Sequence, residues 1–327
     1  MKTLLQRRET TLFFIMLAAC VIIGLLAPGF FALSTLTSVL ANSLVLMVLA
    51  VGTMCVILTR NIDVSSGSIL GLSAVVLGLC LQAGMSLPLA IFLCLGTGVL
   101  AGLLNGILVA LFHIPAIIAT LGTLGLFRGI MLMLTQGKWL ENLPQNLKNL
   151  NAPVFLGLSP VAISVIAVLI ATWAFLRFVR RGQYLYAIGD NIQAVRNLGI
   201  PVKSTQIGAF AFSGLMAAMG GLIFAAQIGF IPNQAGTGLE LKAIAANVLG
   251  GVSLLGGSGS VAGVAMSVLF LTAIDSSLVF LKIPAFWNDF IAGAILLVIL
   301  FFDGRLRLFA EKRMRDKRYE RQVGDTP

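Results

Sequence analysis

The sequence has few charged residues. Only 10% of its 327 residues are charged and 58% are hydrophobic, with 22 Lys and Arg against 12 Asp and Glu. Soluble domains carry about 25% charged residues, so this chain lacks the side chains that would cover a soluble protein of its length. The composition argues against a cytosolic enzyme. It predicts a polytopic membrane protein, in which each spanning helix takes about 20 apolar residues.

Histidine and cysteine are also scarce. His113 is the single histidine, which leaves almost nothing for His-dependent catalysis or for a metal site. All four cysteines lie inside long apolar runs without metal-ligand spacing, so we expect small buried packing residues rather than disulfides or zinc ligands. They are Cys20, Cys55, Cys80 and Cys94. We expect no catalytic residue, no metal and no cofactor bound by this chain.

Motifs for ATP binding and for hydrolysis are missing. Gly257-Ser258-Gly259 is followed by no Gly-Lys-Ser/Thr and preceded by no strand, so another subunit must bind any ATP that is used. No Ser/His pair or His-Glu-x-x-His box is visible, which makes an intramembrane enzyme the least favoured class. A proton-coupled transporter stays open as a weaker alternative, because its relay of buried carboxylates or histidines would have only Asp63, Asp275 and the distant His113.

Long apolar segments predict an all-α integral membrane protein with about ten transmembrane helices. The segments lie near 11–31, 38–58, 67–83, 87–111, 115–135, 155–176, 206–227, 240–256, 259–279 and 285–302. Those near 67–83 and 240–256 are short and interrupted by glycine, so we expect broken or tilted helices there. The run near 11–31 exceeds the signal-peptide core of about 7–15 residues and is expected to remain as the first span. Residues 1–327 then form one transmembrane domain.

Basic residues predict the orientation. An even number of spans puts both termini on one side, and Lys and Arg are enriched on the cytoplasmic side of membrane proteins. Cytoplasmic termini place 17 of the 22 basic residues inside, including a basic tail at 304–327. The outer side then holds Lys138, Lys148, Lys242 and Lys282. Because this asymmetry explains the basic charge as an insertion signal and lipid contact, we expect no nucleic-acid partner.

Glycines form a stripe on one predicted span. Gly98, Gly102 and Gly106 repeat every four residues and share one helix face. Small residues let membrane helices approach closely. The stripe either packs one helix against another, which is the favoured interpretation, or lets helices slide during transport. Asn105, beside the stripe, is predicted to form an interhelical hydrogen bond.

Two glycine-rich stretches, at 59–68 and 249–260, break the helical periodicity in the two halves of the chain. Interrupted segments at comparable places often mark a transport pathway, because non-helical backbone at membrane depth is tolerated only where it lines a cavity or is buried in protein. Ionisable groups at that depth suggest function by default. The candidate pathway residues are Asn61, Asp63, Ser65, Ser66, Glu240 and Asp275. For Asp275, and for Arg128 inside a predicted span, a structural ion pair or snorkelling to the interface is an equal alternative.

The longest loop on the predicted cytoplasmic side spans 177–205. Asp190 or Asn191 can cap a short helix there. Gly199 can end that helix in the left-handed conformation, and Pro201 prevents its continuation. The loop therefore contains a helix of about two turns.

The short helix carries Ile192, Val195 and Leu198 on one apolar stripe. Because so short a helix is unstable alone in water, the stripe needs an apolar groove on its own protein or on a partner. A helix joined rigidly to two spans and docked in a partner can transmit force. The alternative is an interfacial helix that lies on the lipid headgroups.

Five stretches resemble the permease subunits of bacterial ATP-binding cassette (ABC) importers for ribose-type monosaccharides. They are LTRNIDVSSGSI (58–69), IPAIIATLGTLGLFRGIM (114–131), YAIGDNIQAVRNLGI (186–200), IGFIPNQAGTGLELKAIAANVLGGVSLLGGSGS (228–260) and FWNDFIAGAILLVILFFDGRLR (286–307). The likeness covers nearly the whole chain. Within the family, TRNID, GKW at 137–139, GFIPNQ and WNDF are most similar to permeases for the furanosyl signal autoinducer-2. Ribose or another monosaccharide is the alternative substrate.

The resemblance implies a division of labour in the bacterial inner membrane. A periplasmic binding protein would deliver substrate, this non-catalytic chain and a second homologous permease would form the translocation pathway, and two partner ATPase subunits would hydrolyse ATP on the cytoplasmic side. The loop at 177–205 would couple the permease to the ATPase. Its candidate coupling residues are Gly189, Asp190, Asn191, Ile192, Ala194, Val195, Arg196, Leu198 and Gly199.

Overall fold

The computed structural model describes residues 32–154 and 157–280, together with Trp287, Phe290 and Gly293. The described helices are α1 (Leu33–Leu58), α2 (Ser66–Gln82), α3 (Leu87–Ala110), α4 (Ala116–Thr135), α5 (Gln145–Lys148), α6 (Pro160–Phe178), α7 (Arg180–Asp190), α8 (Ile192–Asn197), α9 (Val202–Ile228), α10 (Leu239–Leu249) and α11 (Val261–Phe280), with a 3₁₀ turn at Asn149–Asn151. Within these residues the β-pairing is an isolated bridge between Leu140 and Ile231. The all-helical fold class is confirmed.

Six described helices are long and apolar enough to cross a bilayer: α1, α3, α4, α6, α9 and α11. Helix α2 is apolar but shorter. The predicted segments near 11–31 and 285–302 lie outside the described residues, apart from the three single positions. The segment predicted near 240–256 is broken, as its glycines predicted: α10 ends at Leu249, and Gly251 takes the left-handed φ of 85° that stops a helix. The helix is therefore shorter than the predicted segment.

Helix α9 lies at the centre of the described bundle, packed most extensively against α3 and then against α1 and α2. Its contact with α3 follows the glycine stripe. A Cβ atom added to Gly98 would lie 2.3 Å from the Gly214 carbonyl oxygen, and one added to Gly102 would lie 2.2 Å from that of Phe210. Gly106 meets the next turn of α9. The two backbones touch along this stripe, as in glycine-mediated membrane packing.

Helices α3, α4 and α6 turn large apolar side chains outwards. Phe92 and Leu100 of α3, Ile118 of α4 and Ile170 of α6 are all more than half exposed. Such faces would be costly in water but match the hydrocarbon of a bilayer. The inner helices α1 and α9 therefore form the core, and the outer helices present the lipid-facing surface.

Candidate functional site

The chain turns back into the bundle after α1 ends at Leu58. Asp63 accepts a hydrogen bond of 2.9 Å from the Ser213 hydroxyl of α9, and Ser213 packs against Gly52 of α1. Gly52 precedes Leu58 by a distance of about 9 Å along a helix. The segment 59–65 therefore re-enters the bundle, and α2 begins inside it.

A hydrogen-bond network fixes this re-entrant segment. The Asp63 carboxylate accepts from the backbone N–H of Ser65 at 3.0 Å and from its hydroxyl at 2.7 Å. The Asn105 amide of α3 donates to the Ser65 hydroxyl at 2.7 Å and accepts from the Thr123 hydroxyl of α4 at 2.7 Å. Asp63, Ser65 and Asn105 are fully buried. A buried network whose members are paired is rigidifying, so it ties the segment to α3, α4 and α9.

The network includes two of the four pathway candidates of this stretch and leaves the other two outside it. Asp63 and Ser65 direct their polar atoms into the network. Asn61 is half-buried and donates to the carbonyl and the hydroxyl oxygens of Thr59. Ser66 differs, because its buried hydroxyl has no hydrogen-bond partner in the described part of the chain.

Helix α10 also begins inside the bundle. The segment that precedes it contacts Gly78, then Gly71 and finally Gly67 of α2, where the carbonyl oxygen of Gly236 would lie 2.4 Å from an added Cβ atom. Since Gly67 belongs to the first turn of α2, the N-termini of α2 and α10 meet at one depth. Half-helices whose N-termini meet within the membrane form substrate sites in several transporters.

Glu240 lies at this meeting point. A Cβ atom added to Gly67 would lie 2.0 Å from its Oε2. Glu240 is only 7% exposed, and Oε2 has no hydrogen-bond partner among the residues that the structure describes. A buried carboxyl oxygen without a partner is costly. Together with the unpaired Ser66 hydroxyl, it leaves polar atoms free where the two broken segments converge.

Three other charged residues of the described bundle, Lys242, Asp275 and Arg128, are paired or hydrogen-bonded. The Lys242 ammonium lies 3.1 Å from Asp275 of α11, so the structure places the candidate Asp275 in an ion pair between α10 and α11. Lys242 was predicted on the outer side, but it lies in the first turn of α10 with its side chain 18% exposed. Arg128 of α4 donates to the Ala235 carbonyl oxygen at 3.1 Å and to the Thr237 hydroxyl. Arg128 thus fastens the segment that leads into α10.

Three segments meet at the end of α1: residues 58–60, residues 186–190 at the end of α7, and residues 255–259. We call them the junction. Arg60 donates from Nε to the Leu255 carbonyl oxygen at 2.8 Å and from its guanidinium to that of Asp190 at 3.5 Å. These bonds bring both glycine-rich stretches onto α7, a contact that the sequence analysis did not anticipate.

Gly189 makes the closest approach within the junction. A Cβ atom on Gly189 would lie 2.0 Å from the Leu58 carbonyl oxygen and 2.1 Å from the Gly257 nitrogen. One turn earlier, Tyr186 donates to the Gly259 carbonyl oxygen at 3.1 Å. Burial raises the pKa of Tyr186 to about 12, so its hydroxyl remains a donor at physiological pH. The junction is therefore a contact of backbones that requires a glycine.

The short helix α8 follows directly after the junction. Asn191 caps it by accepting from the backbone N–H groups of Gln193 at 3.1 Å and Ala194 at 3.0 Å. Asp190, the other cap candidate, is the last residue of α7. Gly199 ends the turn at a φ of 70°, the left-handed conformation that glycine adopts without strain.

The predicted apolar stripe of α8 is divided between two surfaces. Val195 is 3% exposed and packs with Ile188 and Val202, with Ile192 alongside. Leu198 is 76% exposed. The prediction that Ile192, Val195 and Leu198 share one stripe is wrong, because Leu198 lies beyond the last helical residue and turns away. The groove for Val195 is on its own protein, and Leu198 is left exposed.

Sequence reasoning missed several partners of these sites. Ser213 and Thr123 complete the Asp63 network, and Arg60 holds the junction. Asn247 of α10 donates to the Thr53 hydroxyl and the Ala50 carbonyl oxygen of α1, both at 2.9 Å. Serine, threonine and asparagine inside apolar spans were the available signal, since these residues join membrane helices.

Comparison with known proteins gives one consistent result. Residues 35–300 match the family described as "Branched-chain amino acid transport system / permease component". The "Autoinducer 2 import system permease protein LsrC" of Salmonella typhi is 52% identical over 324 residues, which cover 99% of this chain and 93% of the relative. The protein of the same name from Escherichia coli (strain K12 / DH10B) is 51% identical over 328 residues, which cover 100% of this chain and 96% of the relative. No solved structure matches the chain.

Proposed function

The chain belongs to the family of branched-chain amino acid transport system permease components, and on that premise we propose that it is the inner-membrane permease subunit of an ABC importer for autoinducer-2. The observation that carries this proposal is identity of 51–52% with autoinducer-2 import permeases over nearly the full length of both chains. Ribose or another monosaccharide is the second candidate substrate, because the sequence also resembles permeases for such sugars.

We place the junction end of the bundle at the cytoplasm, with about ten spans and both termini on that side. The charge pattern supports this orientation, since Arg60, Arg180, Arg181, Arg196 and Lys203 all lie at or next to the junction end. The whole chain then serves as one transmembrane domain, with 177–205 as its coupling loop and 304–327 as its basic tail.

In this proposal the energy for transport comes from two partner ATPase subunits that dock at α8. The exposed surface of α8 offers Ala194 and Arg196, and Leu198 follows directly after its end, while its buried side is fixed to α7 and α9 through Val195. A displacement of α8 would reach Gly189 and the junction without an intervening flexible link. From the junction it would act on the two segments that lead to α2 and α11.

The pathway would pass the point where α2 and α10 begin. Autoinducer-2 and monosaccharides are rich in hydroxyl groups, which need hydrogen-bonding partners rather than fixed charge. Glu240 and Ser66 have free polar atoms there, and we assign them to the pathway. We assign Asp63 and Ser65 to holding the re-entrant segment and Asp275 to pairing with Lys242. A second homologous permease would complete the pathway, and a periplasmic binding protein would supply the substrate.

Uptake in whole cells tests the substrate. A bacterial strain that lacks its own autoinducer-2 importer, and that expresses this chain with the other subunits of its system, should take up labelled autoinducer-2. A hundredfold excess of unlabelled autoinducer-2 should abolish uptake of the label, and the same excess of ribose should leave it within twofold. Uptake of ribose in preference to autoinducer-2 would transfer the proposal to the second candidate.

In the same uptake assay, Glu240→Gln should raise the KM for autoinducer-2, since it removes a hydrogen-bond acceptor.

A further inference from the structure

A cavity of about 710 Å³ opens between α6, α7 and α9, with Cys55 of α1 in its wall. It is separate from the proposed pathway, because neither Glu240 nor Ser66 lines it. Along α9 its lining extends from Ser204 to Met216, and its rim at the junction end includes Arg181 and Tyr184. The cavity therefore runs from one end of the bundle toward its middle.

The lining of the cavity is apolar inside and basic at the rim. Valine, alanine, phenylalanine, leucine and methionine side chains from α6 and α9 line much of the walls, with Thr172 and Thr205 between them. Among the described residues that line the cavity, Arg181 is the one that is charged, and none is acidic. This arrangement suits an apolar chain that ends in an anionic group. It does not suit a small polyhydroxylated substrate, which would find few hydrogen-bond partners.

The length of the cavity matches one leaflet. From Ser204 to Met216, α9 rises about 18 Å, and half of a hydrocarbon core of about 30 Å is about 15 Å. Arg181 lies on the exposed part of α7, which is not one of the candidate spans. The charged rim therefore lies at the level of the headgroups, and the apolar part extends to the middle of the bilayer.

We propose that this cavity binds an anionic phospholipid of the cytoplasmic leaflet, with one acyl chain between α6 and α9 and the headgroup phosphate at Arg181. Basic pockets between transmembrane helices on the cytoplasmic side are suited to such lipids. The lipid would contact Leu185 of α7, one turn before the junction contact at Gly189. It would thereby hold α7, and with it the coupling helix α8, against the bundle.

Gly208 of α9 permits a direct test of the acyl-chain site. Gly208 lines the cavity, and an added Cβ atom would have no neighbour within 4 Å. Gly208→Leu should therefore project a side chain into the acyl-chain site from a Cβ atom that displaces no protein atom, and leucine favours a helix more than glycine does. The purified importer complex carrying Gly208→Leu should retain at least tenfold less phosphatidylglycerol in native mass spectrometry than the parent complex.

The matched control is Gly96→Leu, because Gly96 of α3 also has open space around an added Cβ atom but lies outside the cavity. It should retain phosphatidylglycerol like the parent. Equal retention by Gly208→Leu and the parent would overturn the proposal. A lower melting temperature for Gly208→Leu than for Gly96→Leu in delipidated detergent would also overturn it, because a segment of the protein itself would then occupy the cavity.

The headgroup is tested by Arg181→Gln against Arg180→Gln. Both arginines are exposed on α7, but only Arg181 lines the cavity. Arg181→Gln should weaken binding of phosphatidylglycerol about fivefold, the effect of one basic residue near an anionic surface, and should leave phosphatidylcholine binding unchanged. Arg180→Gln should change neither. Equal binding of the two lipids by the parent complex would refute the anionic headgroup.

Discussion

Replacing Leu198 with aspartate is expected to release the partner ATPase from the permease. Leu198 is a large apolar side chain that is 76% exposed, next to a helix whose Val195 is buried in its own protein with Ile192 alongside. Loss of an apolar anchor from an interface costs about 2 kcal/mol or more, and each 1.4 kcal/mol is tenfold in Kd. Leu198→Asp should therefore weaken co-purification of the ATPase in detergent by at least tenfold.

Asn197→Asp is the matched control for Leu198→Asp. Asn197 is exposed and adjacent, so this variant adds the same negative charge while it keeps the leucine. It should retain the ATPase within about threefold. A Leu198→Asp complex that stayed intact would place the ATPase contact elsewhere and would favour an interfacial helix on the headgroups. Val195→Asp is not an equivalent test, because it would bury a charge within the permease.

Adding a single methyl group at Gly189 is expected to abolish transport. In Gly189→Ala the new Cβ atom would lie within about 2 Å of backbone atoms of Leu58 and Gly257, and backbone cannot yield as a flexible side chain does. The junction must then open. Because α8 is not changed, the ATPase should still bind, whereas uptake of autoinducer-2 should fall at least tenfold.

Two further variants test whether the loss of transport in Gly189→Ala comes from the junction. Gly96→Ala, where an added Cβ atom meets no neighbour within 4 Å, should transport normally. Arg60→Gln removes the hydrogen bond to the Leu255 carbonyl oxygen without adding bulk, so it should lower uptake in the same direction but less. Normal uptake by Gly189→Ala would mean that the junction does not carry the coupling.

The length of the apolar runs predicted the described spans well, because the lipid-facing and buried faces are both apolar. The segments predicted near 87–111 and 115–135 correspond to α3 and α4 within two residues. The short helix in the loop was equally predictable, since Asn191 and Gly199 are local signals that act on their own neighbours. The break after α10 was also predictable, because Gly250 and Gly251 interrupt the apolar segment, although its end at Leu249 was not.

Contacts between distant parts of the chain were not predictable from one sequence. Asp63 and Ser213 are separated by 150 positions, and nothing in either local pattern identifies the other. The same holds for Gly189, which was named for its place in the family motif and not for its contacts with Leu58 and Gly257. Val195 is buried and Leu198 is exposed because α8 ends before Leu198. Ideal helical spacing does not show where a helix ends.

Energy coupling tests the central claim most directly, since the claim is that a permease without its own nucleotide site is driven by a bound ATPase. The complete importer, reconstituted in liposomes with binding protein and labelled autoinducer-2, should concentrate the label only when ATP reaches the ATPase side. Dissipating the proton gradient at constant ATP should leave the initial rate within twofold. Accumulation driven by an imposed proton gradient, with this chain as the sole protein in the liposomes, would contradict the account.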